Sequence, residues 1–303
     1  MTDERRSLSN QVIIVTGGNS GVGYEALKAF CEAGANVIMA SRNETKAKAA
    51  IAKLKEEQPL AKVTYLNLQL DDLSNVNAFV ETFQSMFKRL DVLVNNAGVM
   101  YGPFQQTKDG FEYQLGINHF GHFALTGLLL PMIQQTPGAR VVTVSSLAHR
   151  GGKMDFTNLQ FEKPNSYSPQ AAYGRSKLAN LLFGFELDRK FKEAGIDAKS
   201  IVVHPGVSKT NLFEQLASGP FKRRVFQLFE FFISKADQGA LPTIEAVIND
   251  SLLGGEYLGP DGFMELKGYP KEAKATKQAR SINDAKQLWM ISETLTQTTY
   301  RFK

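Results

Sequence analysis

Short apolar runs rich in Val and Ile recur at residues 12–15, 37–40, 63–68, 92–94, 141–144 and 200–203, and the stretches between them have helical length and period. Apolar runs that do not alternate with polar residues mark strands buried on both faces, and such strands belong to parallel sheets covered by helices. Parallel neighbours must be joined by crossovers, which are right-handed. The pattern therefore predicts an α/β chain: a doubly wound parallel sheet of about seven strands with helices on both faces, the last strand falling near residues 256–258. Because the rhythm continues past residue 200, residues 1–303 read as one domain without internal repeats. Three regions interrupt it: a loop at 147–169, an aromatic-rich insertion at about 209–234, and a C-terminal tail at about 271–303. In the tail, Trp289 sits within an amphipathic pattern expected to pack on the body as a final helix.

With 43% hydrophobic and 21% charged residues, the chain has the composition of an ordinary folded protein. Its one cysteine, Cys31, excludes an internal disulfide and a cysteine zinc cage and fits a reducing compartment, so a cytoplasmic location is expected. Residues 1–10 are charged and lack the apolar core of a secretory signal, and no run approaches the roughly 18 apolar residues of a transmembrane segment. The formal charge of +5 is not concentrated beside stacking aromatics, so nucleic acid is not an expected partner; a mild positive excess suits a phosphorylated cofactor. His119 and His122 have no further ligand motif beside them, and no metal is expected.

The first strand runs into Thr16-Gly-Gly-Asn-Ser-Gly-Val-Gly23 and then into a helical pattern ending at Gly34. Strand, glycine turn and helix stand in the order of a dinucleotide site: glycines permit the turn, let pyrophosphate approach the backbone, and set it at a helix N-terminus. This Rossmann-type reading makes Gly17, Asn19, Ser20, Gly21, Val22 and Gly23 cofactor-binding candidates. At the end of the second strand stand Ser41 and Arg42, with no carboxylate to bond the adenosine ribose and repel a 2′-phosphate. Arg42 offers a planar fork suited to phosphate, with Ser41 and Asn43 able to add hydrogen bonds, so NADP(H) is the expected cofactor.

The glycine spacing, T-G-x-x-x-G-x-G, is followed in order by Asn95-Asn96-Ala97-Gly98, Asn118, Ser145-Ser146, Tyr173-Gly-Arg-Ser-Lys177 and Pro205-Gly206. The ordered set, spanning residues 12–210, resembles the short-chain dehydrogenase/reductase family. The stretches GFEYQLGINHFGHFALTGLLLP, VVTVSSLAH and YGRSKLANLLF are similar to its retinol dehydrogenase, WW-domain oxidoreductase and protochlorophyllide reductase branch. The resemblance implies cofactor contacts at Asn95, Ala97, Gly98, Pro205, Gly206 and Thr210, the last to the nicotinamide carboxamide. It implies Tyr173 as acid/base, Lys177 on the nicotinamide ribose, Ser146 on the substrate oxygen, and Asn118 at a helix kink holding a water. The branch usually carries Asp in an L-D-L segment that contacts adenine. Here the segment is Leu68-Gln69-Leu70, so Gln69 and Leu70 become the candidates, while Asp71 and Asp72 read as first-turn helix residues.

Carbonyl reduction needs a proton at oxygen that the cofactor does not supply. A phenol titrates near 10, and Lys177, four residues from Tyr173 on one helix face, is placed to lower it. The expected activity is hydride transfer between nicotinamide and a small-molecule carbonyl or alcohol, with an aromatic lid at 209–234 favouring lipophilic aldehydes or ketones. Alternatives for that segment are a partner or homo-oligomer surface or a peripheral membrane contact. The alternative function is a non-catalytic NADP-binding redox-sensing module; His149 and His204 are expected to line the pocket without chemistry.

Overall fold

The computed structural model describes residues 6–207 and 235–303. Its centre is a sheet in the order β3-β2-β1-β4-β5-β6-β7-β8, formed by β1 (Val12–Thr16), β2 (Asn36–Ser41), β3 (Lys62–Asn67), β4 (Val92–Asn95), β5 (Ala139–Val144), β6 (Ala198–Val203), β7 (Tyr257–Pro260) and β8 (Pro270–Glu272). The first seven strands are parallel, as the uninterrupted apolar runs predict. The sheet has eight strands rather than about seven. β8 pairs antiparallel with β7 at the head of the tail, where three residues beginning with proline carry no apolar run to reveal them.

The helices are α1 (Gly21–Glu32), α2 (Glu44–Glu57), α3 (Leu73–Met86), the single turn α4 (Tyr113–Leu115), α5 (Gly121–Gln135), α6 (Pro169–Glu193), α7 (Ala236–Ile248) and α8 (Ile282–Thr296). Strand side chains alternate between two cores. Ile14, Ile38, Leu93 and Val141 point to one face, among residues of α3, α5 and α6. Ile13, Val15, Val37, Met39, Val94 and Val203 point to the other, among residues of α1, α2 and α7. Strand order reverses at β1, whose neighbours are β2 and β4, so a crevice opens at the carboxyl ends of β1 and β4.

The expected final helix is α8, capped by the Ser281 hydroxyl on Asp284 N–H. Trp289 on α8 stacks with Phe183 and meets Phe123 edge-on, and Tyr300 packs on Phe123, Trp289 and Phe302. The Tyr300 hydroxyl donates to Phe123 O at 2.7 Å, so the tail is tied to α5 by both packing and a hydrogen bond. Replacing Tyr300 by Ala should cost about 3–5 kcal/mol through cavity formation, and by Phe about 1 kcal/mol through the lost hydrogen bond. Urea unfolding of the two variants checks the order; equal losses would mean the ring packing contributes little.

Candidate active site

The glycine turn between β1 and α1 is shaped by backbone needs. Gly17 and Gly21 adopt φ of 67° and 56°, and a Cβ on Gly23 would lie 2.4 Å from Asn96 Nδ2 and 2.6 Å from Gly17 O. Ser20 is the N-cap of α1, yet no side chain caps the helix and its first turn holds no acid. The first-turn N–H groups thus remain available at the positive end of the dipole, with Asn19, Ser20 and Gly21 at the surface of the turn and Val22 buried. Tight glycine turn and uncapped helix start fit a dinucleotide pyrophosphate.

One hydroxyl joins this turn to the next. Thr16 Oγ1, fully buried, accepts from the N–H groups of Asn96 and Ala97 at 2.9 Å each, and lies 2.9 Å from His122 Nε2. His122 Nδ1 faces Asn118 O at 3.2 Å, and burial holds the ring's pKa down to about 3, so the ring is neutral. Its single N–H must then serve the carbonyl, which leaves Nε2 to accept the Thr16 proton. Asn96 Nδ2 also donates to Thr16 O at 2.8 Å. Thr16, Asn96 and His122 were not among the sequence candidates, although all three lie inside the motifs; only their mutual contacts reveal the role. His119, the other histidine of the pair, is buried against Ser292 Oγ at 2.8 Å.

Asn95 is buried, with Nδ2 donating to Thr126 Oγ1 at 3.0 Å and Oδ1 without a partner. Ala97 and Gly98 follow at the mouth of the crevice. A Cβ on Gly98 would stand 3.1 Å from Asn118 Oδ1 and 3.5 Å from Lys177 Nζ, so this glycine lets the β4 loop close over both. Asn118 occupies a π-helical turn, Gly116–Phe120, between α4 and α5. Such single wide turns free a backbone group and concentrate at functional sites. Asn118 Oδ1 accepts from Val99 N at 2.8 Å, and Nδ2 donates to Val99 O and Ser176 Oγ at 2.9 Å each, which clamps the β4 loop to α6.

At the end of β5 the two serines part. Ser145 is buried and donates to Lys177 O at 2.7 Å, fastening α6 to the sheet. Ser146 is half-buried, accepts from Ala148 N at 3.2 Å, and hydrogen-bonds the Tyr173 hydroxyl. Lys177 Nζ donates to Val144 O at 3.0 Å and stands 5.8 Å from the centre of the Tyr173 ring. The expected lowering of the phenol by Lys177 is not what the protein's own groups produce. Burial pushes Tyr173 up to about 12 against the opposing hydrogen bond from Ser146, and burial likewise draws Lys177 down to about 8. Desolvation disfavours the charged form of each group.

Tyr101, which carries no sequence signal, meets Tyr173 edge-on at 5.1 Å. Its φ of 58° is strained for a tyrosine, and its N–H is held by Gln114 Oε1 at 2.9 Å. On the cofactor side, Ser41 is buried with Oγ unpartnered, and Arg42 is exposed. Gln69 donates from Nε2 to Asn67 Oδ1 at 3.3 Å, and Leu70 is buried in the core. Asp71 and Asp72 are not first-turn residues: α3 begins at Leu73, Asp72 is its N-cap, and Asp71 precedes it, paired with Arg42. An aspartate accepts the first-turn N–H groups better from the cap than from within the turn. Pro205 and Gly206 follow β6, and Gly206, at φ 70°, passes so close to Leu266 O that a Cβ would lie 2.2 Å away. Thr210 and the 209–234 segment lie outside the described residues. His204 and His149 are buried side by side with Tyr257, His149 Nδ1 bonded to Ser146 O at 2.7 Å.

A cavity of about 550 Å³ next to the Gly206 turn is lined by Leu241, Phe263, Leu266 and Tyr269 among others; Ser146, Tyr173 and Lys177 do not line it. Among the described residues no three His, Cys, Asp or Glu side chains gather as a metal site, and no helix is long and apolar enough to cross a membrane.

Residues 11–220 fit the family model described as short chain dehydrogenase. The chain is a short-chain dehydrogenase. It is 38% identical to human retinol dehydrogenase 11 over 285 residues, 94% of this chain and 85% of that one. Human polyprenol dehydrogenase is 37% identical over 290 residues, 93% of this chain and 84% of the relative. A solved structure of an uncharacterised protein from Mycobacterium paratuberculosis is 37% identical, with a TM-score of 0.81 over 98% of this chain and 97% of that chain. The short-chain dehydrogenase thus falls in the retinol dehydrogenase branch, is an oxidoreductase, and belongs to a family that works with a nicotinamide cofactor.

The buried lysine of this dehydrogenase makes a prediction about stability. Its folded pKa of about 8 lies below the ordinary 10.5, so between these values the unfolded chain holds the extra proton and wild-type stability rises with pH. Lys177→Met should therefore be more stable than wild type by about 2–3 kcal/mol at pH 7, with the difference vanishing by about pH 10.5. Paired urea unfolding curves across that range check it; a pH-independent difference would place the Lys177 charge in water.

Proposed function

We propose that this short-chain dehydrogenase is an NADP(H)-dependent oxidoreductase acting between the alcohol and carbonyl forms of a lipophilic small molecule, with Tyr173 as acid/base. The observation that carries the reading is the half-buried Tyr173, its hydroxyl bonded to Ser146 and Lys177 beside its ring. When bound, the nicotinamide supplies or accepts the hydride. The glycine turn would hold its pyrophosphate, and Lys177 and the Asn95–Gly98 loop would meet its nicotinamide half.

With its pKa near 12, Tyr173 is a protonated phenol at neutral pH and stands ready to give its proton to a substrate oxygen. Ser146, already bonded to that phenol, fixes the substrate oxygen within reach of it. Lys177 keeps a positive charge available to a forming phenolate at and below pH of about 8, and Asn118 holds the β4 loop against α6 so that these groups keep their spacing. A lipophilic substrate is supported by relatives named for retinol and polyprenol.

Tyr173→Phe should lose nearly all turnover while binding NADPH within a few-fold of wild type. NADPH oxidation with a series of aldehydes of growing apolar surface tests both halves, with kcat/KM expected to climb along the series for wild type. Normal rates in the variant, or efficiency that falls along the series, would refute the respective half.

The NADP(H) preference rests on Arg42, at the end of β2 where no carboxylate stands. Losing a charged hydrogen bond of about 1.5–3 kcal/mol should weaken NADPH by roughly ten- to a hundredfold in Arg42→Leu and leave NADH unchanged. Adding Ser41→Asp should reverse the preference. Equal weakening of both cofactors, measured by titration, would show that Arg42 does not meet the phosphate.

A further inference from the structure

Arg42 does not stand free at the end of β2. Its Nη1 donates to the Tyr113 hydroxyl at 3.2 Å and lies 3.5 Å from Asp71 Oδ2, on the loop between β3 and α3. The capping of α3 does not call on Asp71, since Asp72 accepts from Ser74 N and Asn75 N at 3.0 and 3.2 Å and also pairs with Lys108. The Asp71 side chain is 18% exposed against 60% for Arg42, so the carboxylate is the more buried partner and the guanidinium the more accessible one.

The two partners of Arg42 differ in what they offer an incoming anion. Tyr113 is neutral and its own hydroxyl proton can turn to a phosphate oxygen. Asp71 is an anion that already shares the guanidinium. A 2′-phosphate carries between one and two negative charges, and at bonding distance from Arg42 it comes within a few ångströms of that carboxylate. A cofactor with a free 2′-hydroxyl meets no repulsion there and can donate to the carboxylate instead. The acid missing from the end of β2 is thus supplied from the adjacent loop.

We propose that Asp71 is a specificity-determining residue that competes with the cofactor's 2′-phosphate for Arg42 and holds the preference for NADP(H) below what Arg42 alone would give. This rests on the reading of Arg42 as the phosphate ligand. Asp71 is a brake on selectivity, and Tyr113 keeps the guanidinium in place when the carboxylate lets go.

The experiment is calorimetric titration of NADPH and NADH into wild type, Asp71→Asn, Arg42→Leu and the double variant, at low and high salt, with thermal melts to verify folding and Asp71→Ser as a second variant. Asp71→Asn should bind NADPH about three- to tenfold more tightly and NADH no more tightly, and the gain should shrink at high salt, because repulsion between partly exposed charges is screened. In the double variant the gain should be smaller than in Asp71→Asn, since the competition is for a group no longer present. Unchanged or weaker NADPH binding in both Asp71 variants, an equal shift for both cofactors, or a gain insensitive to salt would overturn the proposal. If Arg42→Leu leaves NADPH binding unaltered, the assignment of Arg42 fails. If Arg42→Leu weakens NADPH but Asp71→Asn does not strengthen it, that assignment stands and only the competition is refuted.

Discussion

The Thr16 hydroxyl is the point on which the rest of the site depends. It ends β1, accepts two N–H groups from the loop that ends β4, and gives its proton to a histidine below the π-helical turn. Three segments distant in sequence are thereby fixed at one buried atom. A methyl group in its place would leave the part-buried Ala97 N–H without this partner and take from Asn96 N–H one of its two acceptors, the other being Val94 O, while the Asn96 Nδ2 bond to Thr16 O would still tie the two strand ends. From the same junction the order passes outward: Asn96 limits residue 23 to glycine, and Asn118, whose carbonyl faces His122, clamps the β4 loop to the helix bearing Tyr173 and Lys177.

Burial then sets the chemistry. Tyr173 and Lys177 lie on one helix, and both are pushed toward their neutral forms by lack of water rather than toward an ion pair by mutual attraction. A site built this way stores an unspent proton on oxygen at neutral pH and keeps a lysine close to its titration point, so a charge arriving beside it shifts the balance strongly.

Much of this was legible in the sequence. Six of the seven parallel strands follow from Val- and Ile-rich apolar runs, and the glycine turn follows from spacing, because both are local signals. What was not legible is contact between distant residues. β8 is too short and too polar for a pattern to show. Tyr101 adopts a left-handed backbone that no residue preference would assign to a tyrosine. The sign of the Tyr173 shift depends on how deeply α6 is buried, and Asp71 looks like a helix residue until the cap is seen at Asp72. Helical spacing correctly put Tyr173 and Lys177 on one face; it carries no information about solvent.

The antiparallel β8 has a consequence for how copies of this molecule can meet. A parallel sheet ending at β7 would present a row of open backbone groups, able to recruit a strand from a second copy. Here the border is a three-residue strand that starts with proline, which has no N–H to offer, and continues with exposed Lys271 and Glu272. The sheet is thus closed to extension on that side, and self-association there would have to be built from side chains on helix and loop surfaces, not from a shared sheet.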